Sequence, residues 1–338
     1  VEKAFHGHFP RWRTSKKRRF FKVHDRRIQR RMTSFTGCEQ VDQAVVHASV
    51  AGSRHCGGRV IATRDAVPSH ENHLPPFSHA IYGWFMWYVR GYLRRHFHAV
   101  RVLRGADGGE AFPEVGDEPV MLCTNHPGWW DPLVFLTLGQ KFAPQRMNYG
   151  PIEAKALGKY GFLERIGFIG IEPGTWRGSA RFLRMARAAA HRGDVFFWVT
   201  AQGSFTDPRV RPTVIRPGIG HAVAAAAGGL VVPFAVEYPY WNERLPEALA
   251  AFGTPFRVAD APARSADEWT AELAGALEAT QDRLAAAAIG RDPNAFVTVI
   301  SGRVGVGMAY DGLRRMRAWW RGERFDPSHG GTGRERAS

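Results

Sequence analysis

Four short runs of apolar residues, at 119–124, 166–173, 195–200 and 229–236, set what this chain can fold into. Each is too brief for a buried helix and bulky on both faces, as in Val195-Phe196-Phe197-Trp198-Val199-Thr200. A strand of that kind must be covered on both sides, which parallel sheets between helices provide. Helical stretches separate the later runs: Ser179 to His191, closed by Gly193, and Pro217 to Ala227. Strand alternating with helix predicts an α/β fold with a mostly parallel central sheet flanked by helices.

The first run delivers Asn125-His126-Pro127-Gly128-Trp129-Trp130-Asp131, with Asp131-Pro132 opening a helix. His126 and Asp131 stand five residues apart across a Pro-Gly turn. A carboxylate that accepts one ring N–H fixes the imidazole tautomer and leaves the other nitrogen free to take a proton. Spacing alone is weak evidence, since with 14 histidines about one such pair arises by chance. A lone pair of this kind is more often a helix cap beside a satisfied histidine. Position adds weight, because sites in α/β sheets are built where strands end.

Four blocks, the pair among them, carry a resemblance over roughly residues 80 to 255. They are Asn125-His126…Asp131, then Gly167 to Pro173, then Thr200 to Phe205, then Val231-Val232-Pro233. In this order they resemble the glycerolipid (1-acyl-glycerol-3-phosphate, or lysophospholipid) acyltransferases with the His-x4-Asp motif. The resemblance implies a glycerol-phosphate-acyltransferase-like fold with an N-terminal membrane-interface helix. It also implies transfer of a fatty acyl group from acyl-CoA or acyl-carrier protein to a lipid-borne hydroxyl, without a further cofactor. His126 is then the general base and Asp131 its orienting acid. Backbone N–H groups at Gly128 or Gly203 are candidate oxyanion donors, since glycine allows close approach. Asn125 is placed at the substrate site or in tying the turn together. Trp129 and Trp130 line an acyl path, face lipid or pack in the core.

The departures bear on the acceptor. The family's phosphate-binding Arg falls on Pro173, its Glu becomes Gln202, and its second Arg becomes Phe205. A phosphate calls for bidentate guanidinium or clustered N–H donors. Arg177, Arg209 and Arg211 are close enough in sequence to compensate, or are solvated surface charges. Gln202 can still hydrogen-bond a neutral hydroxyl, so a neutral or glycosylated lipid acceptor is the alternative.

The net charge of +15 over 338 residues suits a protein that meets an anionic lipid surface. The stretch 76–105, rich in aromatics from Phe77 to Tyr92 and closing on arginines, is read as a membrane-interface helix. An ordinary helix packed on the sheet fits the same residues. The expected organisation is a basic, disordered arm over 1–75, this helix, an acyltransferase domain over 106–305, and a basic C-terminal helix and tail over 306–338. Residues 1–31 hold twelve Lys and Arg against Glu2 and Asp25, with no apolar segment of a secretory signal. They fit a basic arm, or a start assigned too far upstream. Ser265-Ala266-Asp267-Glu268 is a capping box for a long helix to about Ile289. Leu313 to Arg321 is a second basic aromatic segment.

No apolar run reaches the ~18 residues of a membrane span, so the expected location is peripheral or monotopic, on the cytoplasmic face of a membrane. Cys38, Cys56 and Cys123 show no ligand pattern, no metal site is expected, and Cys123 reads as a buried thiol of a reducing cytosol. Two other classes stand beside this reading, a non-catalytic lipid-binding protein and a basic nucleic-acid-binding protein. The latter lacks any aromatic-basic RNA signature or recognition-helix motif, so nucleic acid is not an expected partner.

Overall fold

Strand β2 (Val120–Thr124) is buried along its whole length, and its alternation sorts the core into two halves. Val120 and Leu122 join one apolar cluster, Met121 and Cys123 the other, on opposite faces of the sheet. The computed structural model describes residues 73–105, 109, 111–260, 263–303, 316, 320 and 321. Parallel to β2 on its two sides run β5 (Val195–Thr200) and β6 (Leu230–Glu237). A central strand so enclosed never meets water, which is why its sequence has no polar alternation.

The full order across the sheet is β4 (Phe168–Ile171), β3 (Met147–Glu153), β5, β2, β6, β7 (Glu247–Phe252), β1 (Ala99–Leu103) and β9 (Phe296–Ser301). From β4 to β6 every pairing is parallel. Beyond β6, β7 is antiparallel to it, β1 parallel to β7, and β9 antiparallel to β1. The short β8 (Phe256–Arg257) pairs with the start of β6. The protein is thus α/β, with a mixed but mostly parallel central sheet flanked by helices.

Helices α1 (His79–His96) and α2 (Asp131–Phe142) pack on the face that carries Leu122, Trp198 and Phe234. Between β3 and β4 lies the short α3 (Ala154–Lys159). On the opposite face α4 (Trp176–Ala189), α5 (Gly218–Ala224) and α6 (Ala266–Gly290) cover Cys123, Phe197 and Val231. Burying these two layers supplies the hydrophobic free energy of the fold.

Helix α4 starts earlier than the expected Ser179, because Thr175 Oγ1 accepts from Gly178 N at 3.0 Å and caps the preceding turn. Helix α5 is shorter than 217–227, since the chain turns at Gly229 with φ of 98°. The capping box at Ser265 and Glu268 is present, and α6 runs to Gly290.

The stretch 76–105 is not one helix. It is helical only to His96, and Ala99–Leu103 forms β1 inside the sheet. The inner face of α1, with Phe85, Met86, Val89 and Leu93, is buried in the same core as the residues after 106. A boundary at 105 therefore divides one packed body. The outer face leaves Trp84 and Trp87 49% and 74% exposed. No helix among the described residues is long and apolar enough to cross a membrane. The expected arm lies outside the described residues up to position 72, and of 306–338 only Met316, Trp320 and Arg321 are described, all exposed.

Gly167 precedes β4 at φ of 100°, and a Cβ there would overlap the backbone oxygen of Asn148. Left-handed backbone and overpacking both oppose a side chain at this point, by about 2–4 kcal/mol together. Gly167→Ala is expected to lower the unfolding free energy by that amount, read as a fall in the urea midpoint with an unchanged slope. A wild-type midpoint would show that this turn is not a constraint on the sheet.

Candidate active site

The site is built where β2 runs out. Asn125, fully buried, donates from Nδ2 to Val236 O and accepts at Oδ1 from Val236 N, both at 2.9 Å. Its amide acts as one more rung between β2 and β6, beyond their last paired residues, Thr124 and Phe234. The backbone of His126 is then gripped by the loop after β5. His126 N donates to Gln202 Oε1 at 2.8 Å, and Thr206 N donates to His126 O at 2.9 Å.

Pro127 and Gly128 turn the chain into α2, with Asp131 N donating to Gly128 O at 3.3 Å. Pro132 follows in the first helical turn, where its missing N–H costs nothing. Asp131 has no exposed surface. Its Oδ2 accepts from His126 Nδ1 at 2.6 Å and from Gly128 N at 3.2 Å. Its Oδ1 accepts from the Tyr238 hydroxyl at 2.5 Å. Burial, and then the charge and hydrogen bond of Asp131, push the Tyr238 phenol well above its usual range, so it stays a neutral donor.

An ionised carboxylate only accepts, so the bond to Asp131 places the imidazole proton on Nδ1. Nε2 is left as a lone-pair acceptor with no partner among the described residues, on a side chain 19% exposed. Phe205 lies against the ring, centroid to centroid 4.6 Å. Trp130 packs edge-on against Phe97 at 4.9 Å, and Trp129 meets Tyr92 of α1 at 6.4 Å, so both indoles join the turn to α1. A second His–carboxylate contact, His98 to Glu247, is 3.7 Å long. Glu247 is held instead by Arg101 Nε at 3.0 Å, and the group ties β1 to β7.

Several residues singled out by sequence stand differently. Asn125 does not face a ligand, because both ends of its amide are bound to Val236. The N–H of Gly128 is bound to Asp131, and that of Gly203 to Thr200 O at 3.0 Å, so neither is free as an oxyanion donor. Arg209 forms a two-pronged pair with Asp207 on the surface, at 2.9 and 2.6 Å. Arg211 is bound to Asp282 of α6 at 2.9 and 2.6 Å. Arg177 is exposed on α4, stacked over Trp176 at 5.6 Å. Gln202 does reach the site. A backbone N–H must be met by its Oε1, which leaves Nε2 as a donor without a partner among the described residues.

Two residues of the site escape the sequence reading. Tyr238 lies just past the fourth apolar run, and parallel strands β2 and β6 bring their ends to one edge, which is the signal that could have located it. Arg216 stands before α5 with its side chain against Gly203, and no ion pair forms there among the described residues. Cys123 is buried, and burial pushes its thiol up to about 12, so it does not act as a nucleophile. Among the described residues no three His, Cys, Asp or Glu side chains converge to hold a metal ion.

Because the Asn125 amide satisfies a buried N–H and a buried C=O, Asn125→Ala is expected to cost about 2–4 kcal/mol of stability. Urea unfolding measures this. A variant as stable as wild type would return Asn125 to the set of ligand-facing groups.

The chain matches no protein-family model, and no curated protein matches it.

Proposed function

We propose that this protein is a membrane-associated O-acyltransferase that moves a fatty acyl group from acyl-CoA or acyl-carrier protein to a lipid-borne hydroxyl. The observation that carries the reading is the His126–Asp131 pair, with Nδ1 fixed at 2.6 Å and Nε2 open. Nε2 takes the proton as the acceptor oxygen attacks the thioester carbonyl. A C–O bond forms and the carbonyl electrons move to oxygen. The tetrahedral adduct then collapses, the C–S bond breaks, and the departing thiolate takes the proton back from Nε2. Asp131 stabilises the imidazolium between the two steps and keeps its own charge. Gln202 Nε2 is the side-chain donor best placed to meet the oxyanion or the acceptor hydroxyl.

Phe135, Gly150, Phe168 and Trp198 line a small apolar hollow of about 40 Å³ whose wall includes Pro132 and Thr200, next to the catalytic turn; it is far smaller than a fatty acyl chain. Phe205 against the imidazole, together with the pairing of Arg209 and Arg211 to carboxylates, favours an acceptor with a neutral or glycosylated head; Arg216, against Gly203, is the cation left on this loop to meet a phosphate. The outer face of α1, with Trp84, Trp87, Arg90 and Arg94 exposed, supports seating on an anionic bilayer.

Thioester consumption by the purified chain with lipid vesicles tests the chemistry. His126→Ala is expected to lower turnover by about 10³-fold with little change in KM, and Tyr238→Phe by about tenfold. Neutral and glycosylated lipids are expected to accept the acyl group, and lysophosphatidic acid poorly. Full transfer by His126→Ala would refute the general base. Efficient transfer to lysophosphatidic acid would overturn the acceptor preference, and no transfer to any acceptor would favour a non-catalytic lipid binder.

The membrane face is tested separately. Trp84→Ala/Trp87→Ala is expected to weaken co-sedimentation with vesicles of anionic phospholipid by at least about tenfold. Unchanged binding would place the membrane contact elsewhere.

A further inference from the structure

Helix α4 carries Arg177, Arg181, Arg184 and Arg187, spaced so that all four lie along one side of the helix. All four are exposed. They span about 15 Å at 1.5 Å per residue. Its other side, with Phe182, Met185, Ala186 and Ala189, is turned into the core.

This pattern works against the helix that bears it. Successive arginines fall at i+4 and i+3, where like charges repel. Arg177 stands in the first turn, at the positive end of the helix dipole, and no acidic residue accompanies it. Arg177, Arg181 and Arg187 make no ion pair among the described residues. A stripe that costs its own helix stability calls for a partner of opposite charge.

The geometry narrows that partner. A membrane-seated helix inserts large apolar groups between its charges. On α4 such groups are buried or half-buried, and only Trp176, at the end of the stripe, is exposed. Helix α1, which does expose tryptophans, packs on the other face of the sheet. The stripe is also longer than one phosphate group needs. It suits the acidic side of a folded partner, met by forked guanidinium groups.

The stripe leads to the catalytic edge. Thr175 and Trp176 open α4 just after β4, whose end lies on the same sheet edge as that of β2, because the strands between them are parallel. At this end Gly218 packs on Phe182 of α4, and Arg216, two residues earlier, lies on Gly203 beside Gln202. Positive charge thus continues from α4 to the loop that grips His126.

We propose that the arginine face of α4 is the docking surface for an acidic acyl-carrier protein that delivers the thioester. This rests on the acyl-transfer reading, and it selects the carrier protein as donor.

Binding is measured first, independently of turnover, by the fluorescence anisotropy of a labelled acyl-carrier protein titrated with the full chain. Arg181→Glu/Arg187→Glu is expected to weaken Kd at least about tenfold, Arg181→Lys/Arg187→Lys by less than about threefold, and Trp84→Ala/Trp87→Ala not at all. Transfer is then compared between donors. The charge-reversal variant is expected to lose kcat/KM with the carrier thioester and to keep wild-type kinetics with the CoA thioester. Carrier binding that is absent in wild type or equal in the charge-reversal variant would overturn the proposal. So would a charge-reversal variant that instead loses binding to anionic vesicles or to a DNA duplex. If wild type turns over neither donor, the acyl-transfer reading fails, while the binding titration still decides whether the stripe holds the carrier.

Discussion

A carboxylate with no exposed surface is the constraint around which the rest of this structure is arranged. Asp131 is held by three donors from three places: the ring of His126, the backbone of Gly128, and the hydroxyl of Tyr238. An ion taken out of water is tolerated only when its lone pairs are met, and losing one donor exposes the full cost of burial. Tyr238 reaches Asp131 only if β6 runs beside β2 in the same direction and continues past Phe234, the partner of Thr124, to Glu237. The Asn125–Val236 rung holds that extension in register. The parallel register, the turn at Gly128 and the start of α2 are thus solved together.

The loop after β5 completes the restraint from the other side. With His126 N bound to Gln202 and His126 O bound to Thr206 N, the residue is fixed along its backbone as well as at Nδ1. Freedom remains only at Nε2. That is the condition under which an imidazole works as a base in one direction, because no reorientation is needed when the proton arrives. Phe205 is the neighbour of the ring; of the arginines of the same loop, Arg209 and Arg211 are paired with Asp207 and Asp282, while Arg216 lies on Gly203.

How far the sequence can be read depends on how local each cause is. β2, β5 and β6 are legible because strands buried on both faces carry uninterrupted apolar residues. β3 is not, since Asn148, Gly150 and Pro151 interrupt it. Its polar Asn148 is satisfied across space by Trp198 Nε1 at 2.8 Å and by the Tyr82 hydroxyl at 3.1 Å. β7, Glu247-Ala-Leu-Ala-Ala-Phe, has the composition of a helix and becomes a strand through its pairing with β6 and β1 and the cover of α6. In the site, the His126–Asp131 spacing is visible because five residues and a turn determine it. Tyr238 is 107 residues from Asp131, and only the topology brings them together. The sequence leaves Arg209 and Arg211 open between an anion grip and surface charges, because charge near a site in sequence says nothing of what already neutralises it. Asp207 is a near neighbour, but Asp282 lies on α6.

Under the acyl-transfer reading a hydroxyl in a bilayer must meet a thioester in water, and the layering of this sheet bears on that access. Exposed tryptophans and arginines lie on α1, over one face, and on α4, over the other, exposed arginines lie with Trp176 at their end as the one large exposed apolar group of that helix. The two surfaces call for different partners, one that accepts apolar insertion and one that does not. Between them runs the edge where β2, β5 and β6 end, and His126 stands on it. Under the acyl-transfer reading, a base on that edge can be approached from both faces at once, so acceptor and donor need not compete for one entrance. Had His126 been placed within either helical layer, the packing that buries Asp131 would also have closed off one of the two substrates. The edge is the one position that satisfies the dry carboxylate and the two-sided approach together.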